Sequence, residues 1–225
     1  VIAVDVRNLR DWADSDAHRT VDDSPYGGGP GMVMRVDIID RALHDLTRVK
    51  SQESRVKEGP PLIVLLTPQG ERLEQAIVES LAHEARDLIL IAGHYEGFDE
   101  RIRTLVDRQI SIGDFVLTGG ELPAVAIVDA VTRLLPGVLA EGSAAEESHS
   151  MKLDQPFDSA QGNQLRLIEY PHYTRPETYR PTSRDVGELG VPDVLKFGDH
   201  ARIATWRLEQ ARERTNRKGG GSPLC

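Results

Sequence analysis

Two short runs, Leu62-Ile63-Val64-Leu65-Leu66 and Leu88-Ile89-Leu90-Ile91-Ala92, are apolar at every position. A strand with one wet face alternates polar and apolar residues. An unbroken run therefore predicts a strand covered on both faces, as in a parallel sheet. Between the runs, Leu73, Ile77 and Leu81 recur at helical spacing and predict a helix over Glu71 to Ala85. Ile39, Leu43 and Leu46 predict another over Ile38 to Val49. A third follows Glu121, with Pro123 near its first turn, where a missing N–H costs little. Val1 to Val6 reads as a further strand. Alternating strands and helices predict an α/β fold with a parallel sheet, whose ligands bind at the carboxyl ends of strands.

From Pro136 this rhythm breaks. Gly137, Gly142 and Gly162 stand among many Ser, Ala and Glu residues, so residues 137–164 read as a linker between domains. The α/β domain then occupies residues 1–136. A small, mainly helical domain occupies 165–218 and closes with a helix from His200 to Lys218. Residues 219–225, rich in glycine, read as a disordered tail.

Composition narrows the class. At roughly 150 residues per domain, 225 residues predict one domain and an appendage. No apolar run approaches the ~20 residues of a membrane span, so no membrane partner is expected. The single cysteine, Cys225, excludes a disulfide framework or a Cys-rich zinc site and fits a reducing, cytoplasmic compartment. A net charge of −9 argues against a polyanionic partner. The charge is divided unevenly, however: residues 1–164 sum to −12 and residues 165–225 to +3. The last helix is the most basic element, which suits either a solvated surface or a local anion-binding patch.

Three glycine-bearing segments hold the candidate chemistry: Thr67-Pro68-Gln69-Gly70, Gly93 to Arg101, and Ser111 to Pro123. Glycine lets backbone approach a ligand, and exposed N–H and C=O groups can read the edge of a flat heterocycle. Turns between strands and helices use glycine for positive φ in any case, so each segment alone says little. Gly27-Gly28-Gly29-Pro30-Gly31 lacks the spacing of a dinucleotide fingerprint, and no phosphate loop ending in Lys-Ser/Thr exists. His83-Glu84 lacks the second histidine of a zinc protease helix, and no metal is expected.

Taken together, Asp22 to Met32, Gly93-His94-Tyr95-Glu96-Gly97, Ser111 to Leu117, Gly119-Gly120-Glu121-Leu122-Pro123 and Pro171 to Pro176 have a distinctive wording. In this order they resemble the bacterial tRNA (guanine-N1)-methyltransferases, which belong to the knotted SPOUT methyltransferases. The resemblance spans about Val1 to Thr215. It implies a trefoil knot on the carboxyl side of the α/β domain and S-adenosylmethionine as cofactor. It also implies methylation of N1 of the guanosine immediately 3′ of the anticodon. The implied cofactor contacts are Leu66, Thr67 and Pro68, then Gly93, Tyr95 and Gly97. Ser111, Ile112, Gly113, Asp114, Phe115, Val116 and Leu117 follow, with Gly119, Gly120 and Pro123.

The reaction itself states what it needs. N1 of guanine carries a proton, so a positioned base must remove it, and a cation near O6 must oppose the charge that develops there. The resemblance puts the cation at Arg133, which could otherwise be a helix-end charge favoured by the dipole. It puts the base at Glu147, in Glu146-Glu147-Ser148, where the family has Asp; Glu146 is the rival through a register shift, and a solvated acidic pair the plain alternative. It further implies a homodimer in which the linker of one subunit completes the site of the other. The tRNA would be held through Arg175, Arg202 and Arg207, with Tyr173 stacked on a base. Phe197 departs from a usually small polar position, the family's first strand and helix are expected before Val1, and the end after Lys218 looks shortened. Other readings of the same residues are a catalytically impaired tRNA-binding relative and a SPOUT methyltransferase acting on a different RNA.

Overall fold

The apolar run at Leu62 becomes the central strand of a parallel sheet. In the computed structural model, residues 2–14, 18–50, 59–140, 147–150, 166–183 and 187–219 are described. They fall into two compact units, Val1–Leu139 and Ala140–Cys225.

The first unit opens with extended chain and a 3₁₀ turn, Leu9–Trp12. A short antiparallel pair follows, β1 (Asp22–Asp23) and β2 (Val33–Met34). Helix α1 (Val36–Lys50) leads to β3 (Leu62–Arg72), then come α2 (Gln75–Ala82), β4 (Leu88–Ile91), β5 (Arg108–Ser111) and α3 (Glu121–Thr132). The sheet order is β4-β3-β5, parallel throughout.

Successive residues of β3 point to opposite faces, so its apolar run supplies two cores. Leu65 joins Ile38, Ile39, Leu43, Ile91 and Ile102 on one side; Leu62, Val64 and Leu66 join Leu81, Ile110 and Ile127 on the other. Coverage of both faces is the condition under which such a run is stable.

The structure departs from the sequence expectations in four places. First, Glu71 and Arg72 belong to β3 and not to the helix that follows: they pair with Ile110 and Ser111. Leu73 N–H donates to the Ser111 carbonyl, and Arg108 grips the Glu71 carboxylate at 2.6 Å. Ladder bonds outweigh the helical spacing there, and α2 starts only at Gln75. Second, Thr67 to Gly70 do not close the strand. They arch out of it, because Leu66 and Glu71 both pair with Ile110. Third, residues 2–7 make no ladder, and Ile2, Val4 and Val6 are exposed. Alternation makes a strand only where another edge accepts its N–H and C=O groups.

Fourth, the described residues of the second unit are less helical than expected. The unit carries one α-helix, α4 (His200–Gly219), and a two-stranded antiparallel pair, β6 (Thr178–Tyr179) with β7 (Leu189–Gly190), among the described residues. Its core is Leu167, Tyr170 and Ala211. Most of the 137–164 linker and the tail from 220 onward lie outside the described residues. Among the described residues, no helix is long and apolar enough to cross a membrane.

Candidate active site

Parallel strands that end level with one another leave a crevice beyond their carboxyl ends. Here a cavity of about 370 Å³ opens at that edge of the first unit, lined from all three glycine-bearing segments. Leu66, Thr67 and Pro68 bring the arch of β3 to it. Gly70 lets that arch return: a Cβ there would stand 2.5 Å from the Gln109 carbonyl carbon and the Ile110 nitrogen, both backbone.

The second wall is Gly93 to Gly97. Tyr95 holds a left-handed backbone, φ +62°, and its hydroxyl meets the Asp22 carboxylate, which pushes the phenol up from its ordinary value. Glu96 N–H donates to the Met32 carbonyl at 3.0 Å, and Met34 N–H donates to the Gly97 carbonyl at 2.9 Å. The Asp22 to Met32 motif is thus stitched to the cavity wall. Gly31 lies against Glu96 so closely that a Cβ would stand 2.3 Å from its Cγ.

The third wall runs from Ser111 to Pro123. Ser111, buried, donates through Oγ to the Gly113 carbonyl at 3.0 Å and accepts the Gly113 N–H at 3.2 Å, closing a tight turn. Ile112, Gly113, Phe115, Val116 and Leu117 line the cavity, followed by Gly119, Gly120 and Pro123. Asp114 is placed otherwise. Its carboxylate is 92% exposed, 3.9 Å from Arg72, and does not line the cavity.

The implied cofactor contacts leave out part of the wall, most of it within the same glycine-bearing segments and Arg103 beyond them. His94, Glu96, Gln69 and Arg103 also line it. Arg103 donates to Gln69 Oε1 at 2.5 Å and pairs with Glu100 at 2.7 Å, while His94 Nε2 meets Glu121 Oε1 at 2.5 Å. The Gln69–Arg103 and His94–Glu121 partners lie 34 and 27 residues apart, where no periodic pattern reports on them.

The two catalytic candidates fall in different compact units. Arg133 caps the carboxyl end of α3, half-buried, its N–H donating to the Asp129 carbonyl at 3.2 Å. Glu147 begins a turn in the second unit, where Ser150 N–H donates to its carbonyl at 3.1 Å. His149 N–H donates to Leu167, and Ser148 Oγ accepts from Glu169 N–H, so this turn is fastened to the start of the carboxyl-terminal segment. Glu146 lies outside the described residues.

Of the four nucleic-acid candidates, Arg175 and Arg202 are exposed; Arg202 N–H bonds Asp199 at the start of α4. The Arg207 guanidinium lies 4.7 Å over the ring of buried Tyr170, a cation–π contact that leaves its N–H edges as its remaining polar reach. Tyr173, 47% exposed, has its ring 6.5 Å from that of Trp206. Phe197 is 81% exposed.

Residues 1–219 match the family described as tRNA (Guanine-1)-methyltransferase TrmD. The chain belongs to that family. A tRNA (guanine-N(1)-)-methyltransferase of Chloroflexus aggregans is 47% identical over 215 residues, covering 95% of this chain and 72% of the relative. One from Moorella thermoacetica is 48% identical over 219 residues, covering 96% and 76%. One from Alcanivorax borkumensis is 47% identical over 215 residues, covering 95% and 71%. Of the motif segments, Gly93 to Gly97, Ser111 to Leu117 and Gly119 to Pro123 contribute to the lining of that one cavity.

Proposed function

We propose that the chain transfers a methyl group from S-adenosylmethionine to N1 of the guanosine immediately 3′ of the anticodon in tRNA. The observation that carries this reading is the convergence of the three glycine-bearing segments on one cavity, in a chain of this family.

The residues present suit the cofactor. A cavity of about 370 Å³ is within the range of small-molecule sites. Leu66, Ile110, Ile112 and Leu117 offer apolar surface to a purine, and glycines at 93, 97, 113, 119 and 120 let backbone polar groups reach its edges. Bound there, the cofactor would supply an electrophilic methyl group on a sulfonium sulfur.

The remaining roles fall to the chain's own side chains. The Glu147 carboxylate takes up the proton that guanine N1 sheds, and the Arg133 guanidinium opposes the negative charge that moves onto O6. Arg175 and Arg202 contact phosphates, Arg207 contributes its N–H edges, and Tyr173 stacks on a base. The trefoil path of the SPOUT superfamily and a homodimer, with the linker of one subunit completing the partner's site, belong to the same proposal. The dimer is supported by α3, which exposes Leu122 and Val125 on the side opposite its buried Ile127. The cytoplasm, where tRNA is processed, is the expected location.

Single-turnover transfer of tritiated methyl from S-adenosylmethionine to tRNA transcripts tests the reading. Wild type should label transcripts with guanosine at that position and leave adenosine variants unlabelled. Glu147→Gln should abolish labelling at unchanged cofactor affinity, and Arg133→Ala should slow turnover more than it weakens that affinity. Transcripts that bind but gain no label would leave the catalytically impaired relative as the correct reading.

A further inference from the structure

The second and third walls of the cavity come from distant parts of the chain, and three features tie them. Gly120 N–H donates to the Gly93 carbonyl at 2.9 Å. The backbones touch beside this bond: a Cβ on Gly120 would stand 2.7 Å from Ala92 Cα. The third tie is made of side chains, His94 Nε2 to Glu121 Oε1 at 2.5 Å.

That pair spans Gly119. A Cβ on Gly119 would lie 2.3 Å from Glu121 Oε2 and 2.8 Å from His94 Cε1, so the glycine leaves the space that the pair crosses. Glu121 is the first residue of α3, and its carboxylate also accepts its own backbone N–H at the positive end of the helix. His94 in turn follows Gly93, against which the Phe98 ring packs; a Cβ there would stand 2.1 Å from the ring. Both partners thus project from backbone that is already fixed.

We propose that His94 and Glu121 are positioning residues for cofactor binding: together they clamp the Gly93 to Gly97 wall to the Gly119-Gly120 turn and keep the cavity at its binding width. This rests on the cofactor reading above. Without the clamp, only the Gly120-to-Gly93 bond and the backbone contact with Ala92 would hold the turn, more of the unliganded population would be open, and apparent affinity would fall by the fraction lost. The pair's partners are half-exposed, so the expected effect is modest, about fivefold.

The test is a double-mutant cycle on the full chain, with His94→Ala, Glu121→Ala and the double variant. Calorimetric titration with S-adenosylmethionine, the KM for the methyl donor, kcat at saturation and thermal midpoints are measured for each. Wild-type binding comes first; its absence would overturn the cofactor reading and this inference with it. Given binding, each single variant should weaken affinity about fivefold and raise KM more than it lowers kcat. The double variant should be no weaker than either single one. His94→Gln, which keeps an N–H donor, should recover most of the affinity. Gly119→Ala should reproduce the loss, because it wedges the pair apart while leaving both side chains in place. Multiplying effects in the double variant, no recovery with glutamine, or losses that track the thermal midpoints would overturn the clamp while the cofactor reading stood.

Discussion

Gly120 and Gly28 show how differently one residue type is used. Replacing Gly120 by alanine drives a Cβ into Ala92 Cα and the Gly93 nitrogen, 2.7 and 3.0 Å away, and backbone cannot swing aside. The expected cost is about 1–3 kcal/mol of stability with loss of cofactor affinity. Gly28→Ala meets nothing within 4 Å and is opposed only by its φ of +78°, about 1–2 kcal/mol. Thermal melts with and without cofactor should separate the two, with only Gly120→Ala losing the ligand-induced rise.

Asp99 belongs to the same scale. It caps the 3₁₀ turn Glu100–Thr104, and the Arg101 guanidinium, at 2.6 and 2.9 Å, holds its carboxyl down from 3.8 to about 2. The charged form is favoured in the folded chain, so this stabilisation is complete above the unfolded value. It is lost as pH falls from near 4 through about 2. Denaturant melts at pH 6, 3.5 and 2 should show Asp99→Asn less stable than wild type at pH 6, with the gap closing towards pH 2.

At the scale of elements, α3 is the informative one. Ile127 is fully buried against β3 and β5, yet Leu122 and Val125 on the other side are 67% and 64% exposed. Both are apolar side chains left in water on the face away from the core, beside the exposed Glu121 and Asp129. If a second copy supplies the cover, Leu122→Lys with Val125→Lys should yield a monomer in sedimentation velocity. In that monomer the secondary structure should be retained, because neither side chain packs in the core of its own unit. A wild-type chain that sediments as a monomer would remove the dimer from the proposal.

For the whole molecule, the charge of −9 is a misleading sum of an acidic stretch at −12 and a basic one at +3. Its consequence is that tRNA affinity should rest on a few phosphate contacts from the second unit and fall with salt. Filter binding between 50 and 200 mM salt should show Arg202→Ala weakening affinity for every transcript alike. It should also reduce the slope of log K against log salt by about 1. A change confined to one anticodon sequence would instead make Arg202 a base reader.

Much of the fold was legible because burial leaves a local record. The apolar runs at Leu62 and Leu88 and the spacing in α1 each state which residues must leave water. β5 escaped notice because Arg108 and Gln109 are polar and only Ile110 enters the core; partner bonds to β3 make it a strand. The same bonds carry Glu71 and Arg72 into β3 against their helical spacing. At the site, the glycine-bearing segments and their wording mark the cavity walls, and the family follows from that wording. The contacts of His94 with Glu121 and of Arg103 with Gln69, the outward turn of Asp114, and the seat of Arg207 on Tyr170 left no local record. Each depends on two segments meeting in space, and chain spacing carries no information about such a meeting. By itself, then, the sequence determined which segments are buried and which family's motifs they carry. Only the tertiary structure decided which side chains touch across the cavity, because those distances are set by packing between elements.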